Sequence, residues 1–189
     1  RPFKPEELEQ IVAPIVQYPD PLLAQIFRAS TYPLEVIQAA RFAKANPNLK
    51  DQALNDELKK QTWDDSVKSL VSFPQVLEMM DSQLEWMQKL GDAVLAQQKD
   101  TMDAIQRLRT KAQTTGNLKS NEQQKVIVEQ TEPPQQQTII RIEPASSDVI
   151  YVPTYNPEIV YGPWPYPYYP PYYYYPPYYP YGYFATVAI

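Results

Sequence analysis

The sequence predicts a mainly α protein: an N-terminal helical domain with one long helix, then a small antiparallel β-ribbon, then an extended Pro/Tyr-rich, polyproline-like strap. Three observations predict it. Apolar residues recur at spacings of three and four from Leu8 to Leu108, the period of helices with one buried face. Beyond Gly116 three short segments alternate with the period of two that belongs to strands. From Pro163 to Tyr183 every residue is Pro, Tyr, Trp164 or Gly182, a composition that neither a helix nor an interior strand accepts. The expected boundaries are 1–115 for the helical domain, 116–162 for the ribbon, and 163–189 for the strap and the start of an apolar tail.

Each element has its own signal. Pro5 occupies a favoured first helical position, Glu6 and Glu7 face the positive helix end, and Leu8, Ile11, Val12 and Ile15 form one stripe. After Tyr18-Pro19, Asp20 is placed to cap a second helix that buries Leu22, Leu23, Ile26 and Phe27. Tyr32-Pro33 and Phe73-Pro74 repeat the aromatic–proline device, in which proline sets φ and the ring packs back on the helix. Short helices carrying Ala53, Leu54 and Leu58, and then Val67, Leu70 and Val71, lie between them.

The run from Pro74 to Gln113 has no internal proline and predicts a single helix of roughly 60 Å, longer than a compact domain needs. Its seam is Leu77, Met80, Leu84, Met87, Gly91, Val94, Met102 and Ile105. Either Gly91 kinks this helix or half of it leaves the bundle for a partner. Gly116 with Asn117 is the expected terminating cap.

Residues 125–129, 138–142 and 148–152 read as strands, and 158–161 as a fourth. So few strands are too thin to stand alone and are expected to rest on the helices. The strap follows, with Trp164, Tyr166, Tyr168, Tyr169, Tyr172, Tyr173, Tyr174, Tyr175, Tyr178, Tyr179, Tyr181 and Tyr183 as interaction residues. As polyproline II it would reach about 65 Å, near the length of the long helix. A solvated linker is the plain reading, but this segment lacks the Ser, Glu and Lys of such linkers and carries a large aromatic load. A strap docked on its own helices or on those of a neighbouring copy fits that load, and the two seatings stay open.

Composition excludes much chemistry. The chain has no histidine and no cysteine, so Ser-His-Asp and Cys-His nucleophiles, imidazole or thiolate metal sites and disulfides cannot be built. Nucleic acid is an improbable partner: the net charge is −5, and no Lys or Arg follows Arg141 to interleave with the aromatics. Asp64-Asp65 beside Trp63, and Glu85 beside Trp86, have the form of glycan-cleaving carboxylates. Against that, Asp64 or Asp65 suits a helix cap and Glu85 suits an exposed pair with Lys89. Asp92, Asp100 and Asp103 read as solvated charge rather than a cation site. No catalytic, cofactor or metal residue is assigned.

The blocks IVAPIVQYPDPLLAQI (11–26), ASTYPLEVIQAAR (29–41) and WDDSVKSLVSFP (63–74) resemble successive segments of one bacterial family, catalogued as domain of unknown function number 3300. DAIQRLR (103–109), GNLKS (116–120) and VPTYNP (152–157) extend the likeness to about residue 162. The resemblance implies an exported protein of a Gram-negative bacterium, in the periplasm, at the outer membrane surface or outside the cell. It implies no activity, cofactor or catalytic residue. Such proteins usually begin with an export signal and continue past the Tyr/Pro stretch into an apolar segment, so this chain reads as a processed or truncated product of a longer precursor. Membrane contact is then expected only through segments absent from the chain.

The expected role is a non-enzymatic structural or interaction protein of the cell envelope or extracellular surface. It would assemble through the long helix, the ribbon edges and the strap into a homo-oligomer or filament. The alternative is a module binding envelope polysaccharide on its aromatic rings, and behind it a carboxylate-dependent glycan hydrolase.

Overall fold

Proline at the head of a helix decides where several of these elements begin, because its fixed φ suits the first turn and its missing N–H is one that turn leaves unpaired anyway. A computed structural model describes residues 1–174 and 182–187. Its first part is α1 (Pro5–Val12), α2 (Asp20–Ala29), α3 (Pro33–Ala45), α4 (Asp51–Lys59) and α5 (Asp65–Leu70). Then come α6 (Pro74–Ser82), α7 (Leu84–Ala96) and α8 (Gln98–Thr114). The β part is β1 (Gln124–Gln130), β2 (Thr138–Pro144) and β3 (Val149–Thr154), followed by α9 (Pro157–Val160) and β4 (Gly182–Val187). The protein is mainly α. Proline opens α1, α3, α6 and α9, and Tyr32 and Phe73 are the residues just ahead of α3 and α6, as the aromatic–proline pairs predict.

The expected stripes supply the core. Leu8, Ile11, Ile15, Leu22, Ile26, Leu70, Leu77, Met80, Met87 and Leu90 are fully buried, with Trp86 among them donating its indole N–H to Ile11 O at 2.7 Å. Helix α8 ends in a full Schellman motif. Gly116 adopts φ +79, its N–H reaches Gln113 O and the Asn117 N–H reaches Ala112 O.

The long helix is not one helix. The chain breaks at Gln83 (φ −125, ψ 65) and again at Gln97 (φ −139, ψ 51), giving three helices in place of the roughly 60 Å rod. Each break residue turns its side chain to another segment's backbone. Gln97 accepts the Phe3 N–H at 2.7 Å and donates to Phe3 O at 3.1 Å, while Gln83 donates to Tyr173 O at 3.3 Å. Gly91 is no kink either. It sits inside α7, where an added Cβ would collide with the Ser30 carbonyl oxygen, so α7 passes close against the end of α2 there.

Two further expectations change. Asp20 does not cap α2; its carboxylate pairs with Arg109 at 2.7 Å and accepts the Ile142 N–H at 3.4 Å. Residues 158–161 are not a strand, because Asn156 caps Glu158 N at 2.9 Å and Pro157 starts the short helix α9.

The strands form two antiparallel pairs rather than one ribbon. In the first, Val126 faces Ile142 and Val128 faces Ile140 across β1 and β2. In the second, Val152 faces Phe184 and Thr154 faces Gly182 across β3 and β4, so the tail returns to the sheet region. The β1–β2 pair rests on the helices as expected. Gln106 of α8 acts as a missing strand for the outer edge of β2, taking the Ile140 N–H at 2.8 Å and giving its amide to Ile140 O at 3.1 Å. Arg109, with 1 % of its surface exposed, donates to Val16 O, Tyr18 O and Ile140 O and so ties the α1–α2 turn to β2.

Candidate functional site

The described part of the strap, residues 163–174, lies on a face made by α1, α7 and α8 of its own chain. Its approach is fixed first. The buried Tyr161 donates to Ala13 O at 2.6 Å, and the Tyr155 hydroxyl donates to the same carbonyl at 2.9 Å. Burial pushes both phenols well above their ordinary range, as it does for Tyr18 in the same cluster. Gly162, at φ +78, then redirects the chain.

From here aromatic rings meet charged side chains. Trp164 packs edge-on to Tyr166 with ring centres 5.8 Å apart, and its N–H reaches Tyr169 O at 2.9 Å. A turn closed by Tyr169 N–H to Tyr166 O folds this stretch on itself, so it is not a straight polyproline rod. Tyr166 donates to Glu9 at 2.9 Å. Glu9 is a carboxylate 1 % exposed that also meets Arg107 at 3.2 Å and lies 3.8 Å from Lys111. Burial raises the Tyr166 hydroxyl, and the Glu9 charge raises it further.

Two more lysines meet tyrosines. Lys4 lies 3.4 Å from the Tyr169 hydroxyl, and Lys89 donates to that of Tyr172 at 3.0 Å. Lys89 is 5.7 Å from the Tyr172 ring centre, nearly the sum of the hydrogen bond and the ring-to-oxygen length. The ammonium therefore lies beyond the hydroxyl in the ring plane: a charge-assisted hydrogen bond, not a cation over a π face. The Tyr172 N–H reaches Gln10 O at 3.2 Å, and the half-buried Tyr174 closes a void of about 20 Å³ shared with Tyr18, Gln75 and Tyr155.

A match to the family described as "Protein of unknown function (DUF3300)" runs over residues 4–188, and so covers the helices, the strap and β4 together. The chain belongs to that family. Within it, the "Uncharacterized protein YacH" of Escherichia coli (strain K12) is 45 % identical over 195 residues. That alignment covers 89 % of this chain and 31 % of the relative, so the chain spans about a third of that relative's length. No solved structure matches.

The other expected site residues of this DUF3300 chain are distributed as follows. Of the strap set, Trp164, Tyr166, Tyr169, Tyr172 and Tyr174 turn toward protein, Tyr168 is 90 % exposed and Tyr173 is partly so. Tyr183 lies in β4, where its hydroxyl accepts from Asn121 at 3.0 Å. Tyr175, Tyr178, Tyr179 and Tyr181 lie outside the described residues. Of the seam set, Leu77, Met80, Met87, Gly91 and Ile105 are consumed by the protein's own core. Val94 is half-buried, and only Leu84 and Met102 are exposed. Spread over three helices, these residues make no continuous partner seam.

The carboxylates have structural partners. Asp64 caps α5 through Ser66 N–H at 3.1 Å and pairs with Arg28 through both oxygens, at 2.9 and 3.1 Å. The Arg28 bond, then that of the Ser66 hydroxyl, holds the Asp64 carboxyl well below the usual carboxylate range. Glu85 pairs with Lys89 at 3.2 Å on the surface, and Trp86 and Trp63 are buried, with no ring face offered to a sugar. Among the described residues no three acidic side chains converge to hold a metal ion, and no helix is long and apolar enough to cross a membrane.

Sequence reasoning missed Glu9, whose place on a mixed helix face reads as surface charge. It also missed an open cleft of about 1170 Å³ between α2, the α7–α8 junction and the start of β2, lined by Leu23, Phe27, Leu95, Met102 and Ile139. These residues come together only in the fold, and no spacing announces them.

Proposed function

We propose that this chain is a non-enzymatic structural and interaction module of the envelope or outer surface of a Gram-negative bacterium, and that it assembles with copies of itself. One observation carries the reading. The chain holds both an aromatic strap and a complementary face for it, matched residue by residue: Tyr166 to Glu9, Tyr169 to Lys4, Tyr172 to Lys89 and to Gln10 O. A segment and its receptor on one polypeptide are what a self-assembling protein needs, since any copy can serve any other.

The long-helix seam is not part of the proposal, because it is split over three helices and the core consumes most of it. A polysaccharide platform needs neighbouring ring faces in solvent. Inward-turned rings on the described strap favour protein contact instead. The test is the mass of the purified chain from micromolar to millimolar concentration, with electron microscopy of the concentrated end. Growth into discrete oligomers or fibres is expected, and a monomer throughout overturns the reading. Fractionation of the native host should place the protein outside the inner membrane.

A further inference from the structure

We propose that the described strap, residues 162–174, is an exchangeable arm, and that a copy of this chain seats its arm on the α1–α7–α8 face of the next copy. The inference rests on the assembly reading above and supplies its interface.

The chain is locked up to Tyr161, whose hydroxyl holds Ala13 O at 2.6 Å, while Val160 O takes bonds from Thr115 and Asn117. Beyond Gly162 the attachments change in kind. They are side-chain bonds that Lys4, Lys89, Gln83 and Glu9 make with strap residues at the surface, and one backbone bond from the Tyr172 N–H to Gln10 O. None of these contacts distinguishes a chain's own arm from an identical one. Only the covalent link at Gly162 does.

That link is a turn a glycine alone makes easily. Gly162 sits at φ +78, an added Cβ would meet Thr115 Cγ2 at 3.2 Å, and Pro163 follows and biases its neighbour toward extended backbone. Opening the turn releases the arm at the point where the locked part ends. Exchange in one direction leaves each copy with a filled receptor and a donated arm, a heterologous contact that repeats into a ring or fibre. A short tether favours self-seating by an effective concentration of about 1 mM, so exchange belongs to concentrated material.

The chain has no cysteine, which makes engineered pairs clean reporters. In concentrated, assembled full-length chain carrying Gln83→Cys and Tyr173→Cys, a flexible bis-maleimide, which bridges cysteines too far apart for a disulfide, should give a ladder of cross-linked multimers on denaturing gels. Assembled material with only intramolecular cross-links overturns arm exchange and leaves the assembly reading standing. Lys4→Cys with Tyr169→Cys repeats the test elsewhere on the arm should the first pair fail to fold. Gly162→Ala strains the closed turn and should raise the inter-chain fraction on the order of fivefold or more. An unchanged fraction overturns the hinge. A chain that stays monomeric at millimolar concentration overturns the assembly reading itself.

Discussion

Arg109 shows what one buried charge can organise. Its guanidinium bonds three carbonyls and the Asp20 carboxylate, and it joins α8, the α1–α2 turn and β2 at one point. Replacing it by methionine takes this donor from Val16 O and Tyr18 O, leaves Ile140 O with Gln106 alone, and leaves Asp20 with the Ile142 N–H but no counter-charge. Arg109→Met should cost about 3–5 kcal/mol in a denaturant melt, by analogy with other broken buried pairs. Asp64 acts more modestly. Arg28 is mostly solvent-exposed, which screens their pair, so Asp64→Ala should cost about 1 kcal/mol, chiefly as a lost helix cap. Its carboxyl is lower in the folded than in the unfolded chain. That contribution is therefore complete above the ordinary carboxylate range near ~4 and declines as pH falls below it. Tyr155 and Tyr161 run the other way: their hydroxyls are raised, so their contribution is complete below the ordinary phenol range near ~10 and is lost as pH climbs past it. Phenolate absorbance should show these tyrosines ionising only as the helical signal collapses. Ionisation of every phenol near ~10 with the fold intact would contradict their burial.

Among the elements, close approach and side-chain rescue of backbone groups decide where helices stop and meet. Gly91→Ala drives a methyl into the Ser30 carbonyl and should cost about 1–3 kcal/mol, measured as a shift in the denaturation midpoint. Gln97→Ala removes both bonds to Phe3 and should leave the Phe3 amide exchanging hydrogen freely while α8 stays protected. These two sites also mark how far the sequence can be read. Apolar periodicity locates the buried stripes, proline locates the starts of α1, α3, α6 and α9, and Gly116 locates the end of α8, because each acts within a few residues. The breaks at Gln83 and Gln97 are invisible to that logic. Glutamine is a good helix former, and what stops the helix is a bond to Tyr173 or Phe3, about ninety residues away. The residues of β4 read as the start of an apolar tail for the same reason, since their strand partner is β3 rather than a neighbour in sequence.

At the scale of the molecule, the strap is where composition and fold agree in substance and differ in shape. Among the described residues, Trp164, Tyr166, Tyr169, Tyr172 and Tyr174 turn toward protein, folding around Trp164 rather than running straight along a rod, while Tyr168 stays in solvent. Which face receives them depended on Glu9, Lys4 and Lys89, two charges at α1 and one on α7 that only the tertiary structure gathers. Docking of the strap is the premise on which assembly and arm exchange both stand, and hydrogen exchange tests it most directly. The Tyr169 and Tyr172 amides, bonded to Tyr166 O and Gln10 O, should exchange far more slowly than a free chain in the native protein. Exchange of both amides at the rate of an unfolded peptide would show a strap that leans on nothing, and the account would fail with it.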